Sequence, residues 1–146
     1  MVLTSIAAPG VDRCTNSFEG QVLAEIQPDG AAASTEFVVP AGHVLVVTEI
    51  DWETIEDPTD LPQGRVQIFT ITLGPSANPP VFRTGTLIDA DLAAAGITAG
   101  SASLTTGFRV YPGVPICPRA SSEDSDGSAV NFVTSLTVRG YLVKSK

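Results

Sequence analysis

The chain has 146 residues and a formal net charge of −8 from 8 basic and 16 acidic side chains, one domain's worth of polypeptide. Only 16% of it is charged and 43% is hydrophobic, enough apolar surface to offset the entropy of ordering, so a folded domain is expected rather than a disordered tail. The two-to-one acid excess argues against a nucleic-acid binder and a basic membrane-surface module, both of which need clustered Lys and Arg, and no run of 18 apolar residues exists to insert into a membrane.

Forty residues are Val, Ile or Thr while Lys appears twice, so strands are expected to dominate. Residues 1–19 read as an extended N-terminal segment and residues 20–146 as a single β-sandwich domain. Met1–Thr4 shows none of the regions of a signal peptide. Gln21–Gln27 is the first alternating run, ended by the turn Pro28-Asp29-Gly30. Thr35–Val39, the turn Pro40-Ala41-Gly42 and the long run His43–Glu53 read as two strands joined by a tight connection. In the second half of that run Ile50 and Trp52 fall on one face and Glu49, Asp51 and Glu53 on the other, so one face is core and one is wet.

Glu56–Gly64 reads as an exposed acidic loop, Arg65–Leu73 as a strand with apolar residues on both faces, and Val81–Ile88 as a strand interrupted by Gly85. Asp89–Gly96 has a capping Asp, a run of Ala and a terminal Gly, which predicts one short helix. Thr98–Thr106 is small and polar, a loop or edge strand. Phe108–Tyr111 and Val114–Cys117 are two short strands around Pro112-Gly113, and Ser121–Ser128 is an acidic loop. Val130–Val143 closes the chain as a long strand with Phe132, Leu136, Val138 and Leu142 on one face.

Eight or nine strands with short connections predict an all-β fold, a two-sheet antiparallel sandwich of jelly-roll type with at most one short helix. An immunoglobulin-type sandwich is the alternative, but Trp52 and the cysteines stand in the wrong relation for it. A cupin site needs several histidines and the chain has only His43. The segments Thr106–Gly113 (TGFRVYPG) and Leu136–Val143 (LTVRGYLV) resemble the last strands of the complement-globular-head and tumour-necrosis-factor-like jelly rolls. That resemblance implies a compact trimer acting as a ligand or surface-recognition head.

The two cysteines, Cys14 and Cys117, allow one disulfide closing a loop of about 100 residues, worth about 4 to 5 kcal/mol in the chain-entropy model; two separate buried thiols are the alternative. A bond implies an oxidising compartment and an extracellular, cell-surface or virion location. Six carboxylates lie between Glu49 and Asp60, and calcium, which takes several oxygen ligands, is the one cofactor they suggest, through Asp51, Glu53 and Asp57. Asp124 and Asp126 raise the same question in the later acidic tract, although the EF-hand pattern fails there, with Val133 where the twelfth-position Glu belongs. The competing reading of both tracts is a solvated acidic surface.

Catalytic parts are few. The chain lacks a nucleophile elbow, a Cys-x-x-Cys, a zinc motif and a phosphate-binding glycine loop, which leaves glycoside hydrolysis by a carboxylate pair as the only enzymatic reading. Trp52 is either a sugar-stacking platform or core, and Tyr111 and Tyr141 suit an interface or its rim. The sequence therefore predicts a non-enzymatic structural or interaction subunit that forms a homo-oligomer, with a glycan-binding or calcium-dependent adhesion module as the alternative.

Overall fold

A computed structural model describes residues 1–7, 21–56, 66–74, 80–87, 97–123 and 132–145. The described residues form eight strands: β1 (Val2–Ala7), β2 (Gln21–Glu25), β3 (His43–Glu56), β4 (Val66–Leu73), β5 (Phe82–Leu87), β6 (Ile97–Val110), β7 (Ile116–Glu123) and β8 (Phe132–Lys144). They form a five-stranded sheet in the order β2-β1-β8-β3-β6 and a three-stranded sheet in the order β5-β4-β7, and every ladder is antiparallel. The all-β two-sheet sandwich is thus the fold of the chain. Among the described residues there is no helix; the expected one at Asp89–Gly96 lies outside them.

The order of the strands has a simple origin. An antiparallel ribbon folded so that β1 meets β8, β3 meets β6 and β4 meets β5 gives β1-β8-β3-β6 in one sheet and β7-β4-β5 in the other, the wrapping of a jelly roll. β2 departs from this order. Instead of lying beside β7 it pairs with β1, from Leu3↔Glu25 to Ala7↔Gln21. The place it leaves between the sheets is filled by residues 36–39, where Phe37 packs against the core and Val39 is buried, beside a cavity of about 30 Å³ lined in part by Val22, Val114 and Ile116.

Four expectations are corrected here. Val2–Ala7 is a strand of the main sheet, not a segment apart from the sandwich. Thr35–Val39 forms no strand, because its apolar residues plug the gap left by β2 and its backbone meets β2 through a single bond, Phe37 N donating to Leu23 O at 2.7 Å. Thr98–Thr106 and Phe108–Tyr111 are one strand, β6, which edges the large sheet and runs to Val110. Ser121–Glu123 belongs to β7 and not to a loop.

The core lies between the sheets. β3 contributes Leu45, Val47, Ile50 and Trp52, β8 Leu136 and Val138, and β4 Phe69 and Ile71. Trp52 stacks on Phe69 with ring centroids 5.6 Å apart and planes 6° from parallel, and Phe82 closes the cluster at 5.5 Å from Trp52. Aromatic pairs in such offset or tilted geometries add about 0.5–1.5 kcal/mol beyond their burial.

The inward residues of β3 change parity, from 45 and 47 to 50 and 52, because of a bulge. Val47 pairs with Gly140 and Glu49 with Arg139, so Thr48 has no residue opposite it on β8. On the other side Val47 pairs with Phe108 and Glu49 with Ser103, so residues 104–107 of β6 loop out opposite Thr48. The backbones close tightly around this point. Gly107 has a left-handed φ of 63° and Gly140 sits so near β3 that a Cβ on either would overlap a backbone carbonyl oxygen, of Val47 and Val46 respectively.

Two stability measurements follow. Gly140→Ala is expected to destabilise the fold by at least about 1–3 kcal/mol, the cost of forced overpacking. Phe69→Ala, which empties the stack on Trp52, is expected to cost about 3–5 kcal/mol. Urea unfolding followed by the emission of Trp52, the only Trp in the chain, checks both; a shift in midpoint equivalent to less than about 0.5 kcal/mol contradicts the packing described.

Candidate functional site

The outward face of the large sheet carries four of the residues that the sequence singled out: Asp51, Glu53, Tyr111 and Tyr141. Across β6, β3 and β8 the register sets them in rows: Arg109, Val46 and Tyr141; Ser103, Glu49 and Arg139; Ser101, Asp51 and Thr137; Ala99, Glu53 and Ser135. Beyond the first of these Val44 pairs with Val143, and Tyr111, one residue past β6, is in phase with Arg109. The face therefore has an aromatic and aliphatic end and an acidic end.

At the first end Val44 and Val46 are nine-tenths or more buried, although they do not belong to the core between the sheets. Their neighbours remain open: Tyr111 is 52% exposed, Tyr141 53% and Val143 39%. Arg109 is exposed in the same phase. His43, at the start of β3, turns its ring back onto its own turn, Nδ1 donating to Ala41 O at 3.2 Å.

In the middle, Arg139 lies directly across from Glu49 and diagonally from Asp51. Its guanidinium hydrogen-bonds the Asp51 carboxylate and comes within 3.3 Å of Glu49 Oε2. The hydrogen bond to Asp51, and then the charges of Asp51 and Glu49, raise the Arg139 pKa above its ordinary value. This ion triad is the counter-charge that a reading of the acidic run along β3 overlooks. A cation at Asp51 would have to displace a guanidinium already bound there.

At the acidic end the sheet surface sinks into an open hollow of about 480 Å³, lined by Asp51, Glu53, Ala99, Ser101, Ser135 and Thr137, with Trp52 and Gly100 beneath. Short side chains on β6 and β8 make its floor and the β3 carboxylates rise from it. Glu53 is exposed and forms no ion pair among the described residues. Trp52 itself is only 9% exposed and its ring faces the core, against Phe69. It is therefore not a stacking platform for a sugar, which removes that motive for the glycan-binding reading.

Of the other expected site residues, Asp57, Asp124, Asp126 and Cys14 lie outside the described residues. Among the described residues no group of three or more His, Cys, Asp or Glu is arranged to hold a metal ion. Cys117 is fully buried on β7 and is disulfide-bonded rather than a free thiol. No helix of the described residues is long and apolar enough to cross a membrane.

With this geometry in hand, comparison with known proteins adds no relative: no family model matches the chain, and no curated protein matches it significantly.

Because Arg139 and its partners are about 35–43% exposed, solvent screening keeps the triad's worth small, at most about 1 kcal/mol. A double-mutant cycle between Arg139→Ala and Asp51→Asn is expected to show a coupling of about 0.3–1 kcal/mol that shrinks in molar salt. A coupling of zero at low salt counts against the pairing.

Proposed function

We propose that the chain is a non-enzymatic subunit of a homo-oligomer, a jelly-roll domain whose task is to assemble at an extracellular surface. One observation carries the reading: Tyr111, Tyr141 and Val143 stand open at one end of the outward face of the large sheet, over valines that a single chain has already buried. Tyr buries a large rigid ring while keeping its hydroxyl hydrated, which suits it to interfaces, and an exposed patch of aromatic and aliphatic side chains beside few charges is the usual mark of a protein contact.

On β4, whose apolar residues lie on both faces, Phe69 and Ile71 on one side and Ile68 and Thr72 on the other are all buried within one chain. The need for a partner therefore sits on the large sheet and not on the small one.

The strand order β1-β8-β3-β6 against β7-β4-β5 supports the jelly-roll part of the proposal, and the bonded state of Cys117 supports an oxidising location. The exposed tyrosines, rigid rings with hydrated hydroxyls, support assembly.

Light scattering and sedimentation equilibrium on the oxidised protein, from micromolar to submillimolar concentration, test the proposal. The weight-average mass is expected to rise with concentration to a multiple of 15.1 kDa. A mass that stays at the monomer value throughout overturns it.

A further inference from the structure

The two ends of the large sheet's outward face are complementary to each other. One end offers two open phenol rings, Tyr111 and Tyr141, with Arg109 in their phase. The other offers a hollow of about 480 Å³ with a floor of Ala and Ser and rising carboxylates. Aromatic rings fill such a hollow, their hydroxyls donate to carboxylates, and a guanidinium pairs with an unpartnered Glu53. A single chain cannot make these contacts, because the ends are separated along one sheet by about 20 Å, six or seven residues at about 3.3 Å each.

We propose that a second copy of this chain docks face to face on the large sheet, antiparallel, about a two-fold axis that crosses the strands at the Glu49–Arg139 row, so that the tyrosine end of each copy fills the acidic hollow of the other. This rests on the proposed self-assembly and names its partner surface. With the axis at that row, Tyr141 and Arg109 of one copy lie over Thr137 and Ser101 of the other, and Tyr111 lies over Ala99. Arg109 then reaches the partner's Glu53, the carboxylate that Arg139 does not engage. Contacts of this isologous kind occur twice, so each pairing counts double.

Charge decides against the other two-fold arrangement. An axis along β3 would match the apolar ends, laying Tyr141 on Arg109 and Tyr111 on Val143, but it would also stack Glu49, Asp51 and Glu53 on their own copies. Each copy keeps a net negative acidic end even after Arg139 is counted, and like charges directly opposed across an interface cost several kcal/mol. The antiparallel arrangement confines self-stacking to the Glu49–Arg139 row, where each carboxylate is already paired with a guanidinium, and sets opposite charges together at both ends. The rows from Val44 to Glu53 on three strands cover about 30 Å by 14 Å, or about 400 Å² per copy by ordinary sheet spacings, about half of a standard partner surface. The pairing is therefore weak, seen at tens to hundreds of micromolar rather than at nanomolar concentration.

A reciprocal charge swap tests it. All three variants, Arg109→Glu, Glu53→Arg and the two combined, alter exposed positions, and far-UV circular dichroism with the melting temperature verifies their folding. Sedimentation velocity is expected to show each single variant dimerising at least about tenfold more weakly, and the double variant within about threefold of the original. Added salt is expected to weaken the dimer.

Dimerisation untouched by either single variant, a double variant no better than the singles, or a dimer that tightens with salt overturns the antiparallel face. A trimer also overturns it while leaving self-assembly intact. A chain that is monomeric at every concentration fails at the earlier step, because then there is no assembly for this face to explain.

Discussion

The bulge at Thr48 is the constraint on which the rest of the large sheet depends. A regular strand through β3 keeps one parity inside, so if Leu45 and Val47 face the core, Glu49, Asp51 and Glu53 follow them there, and three uncompensated carboxylates enter a dry interior at a cost of several kcal/mol each. One unpaired residue reverses the phase. Thr48 absorbs it, donating its hydroxyl to Arg139 O at 3.4 Å, and beyond it Ile50 and Trp52 take the inward positions. Gly140 and Gly107 let the neighbouring strands close on the irregularity. The stack of Trp52 on Phe69 exists only because of this reversal.

The same bulge composes the outward face. Ahead of it the outward parity holds Val44 and Val46; behind it, Glu49, Asp51 and Glu53. An apolar run and an acidic run that would otherwise lie on opposite faces of β3 are thereby laid end to end on one face. β8 has no bulge of its own, so its alternation continues through Thr137, Arg139, Tyr141 and Val143, and supplies both the guanidinium for the acids and the exposed ring beside the valines. The polarity of the face is a consequence of backbone geometry before it is a matter of composition.

Much of this was legible in the sequence, for a physical reason. Strict alternation at Ile50, Asp51, Trp52 and Glu53, and at Leu136, Val138 and Leu142, is the direct signature of a half-buried strand, and the inward side of each was read correctly on both. Thr35–Val39 misled because local β propensity cannot see that β2 has left a gap that Phe37 and Val39 must fill. β6 was divided in two because its first half is small and polar. On an edge strand over a large aromatic ring, small residues are what fit, and Gly100 with its neighbours accommodates Trp52. Arg139 as partner of Glu49 and Asp51 was hidden for another reason: it is 88 residues from Asp51 along the chain, and only the register between β3 and β8 brings them together. The alternation of β8 did carry half the signal, since Val138 inside places Arg139 outside.

The meaning of the net acidity changes accordingly. Of the three carboxylates on the described outward face of β3, two share one guanidinium, so the charge density that would attract a hard divalent cation is reduced at the place where the sequence offers most of it. What remains is the exposed carboxylate of Glu53 at the rim of a hollow, with Arg109, which forms no ion pair among the described residues, about 20 Å away at the other end of the same strands by ordinary strand rise. A surface with separated charges of opposite sign discourages stacking like on like and favours reversed stacking, the electrostatic form of specificity by difference. For a domain this acidic, such a separation reconciles two requirements: a net charge of −8 keeps copies apart in most orientations, while the proposed antiparallel orientation would align aromatic rings, a guanidinium and carboxylates and give association a defined geometry.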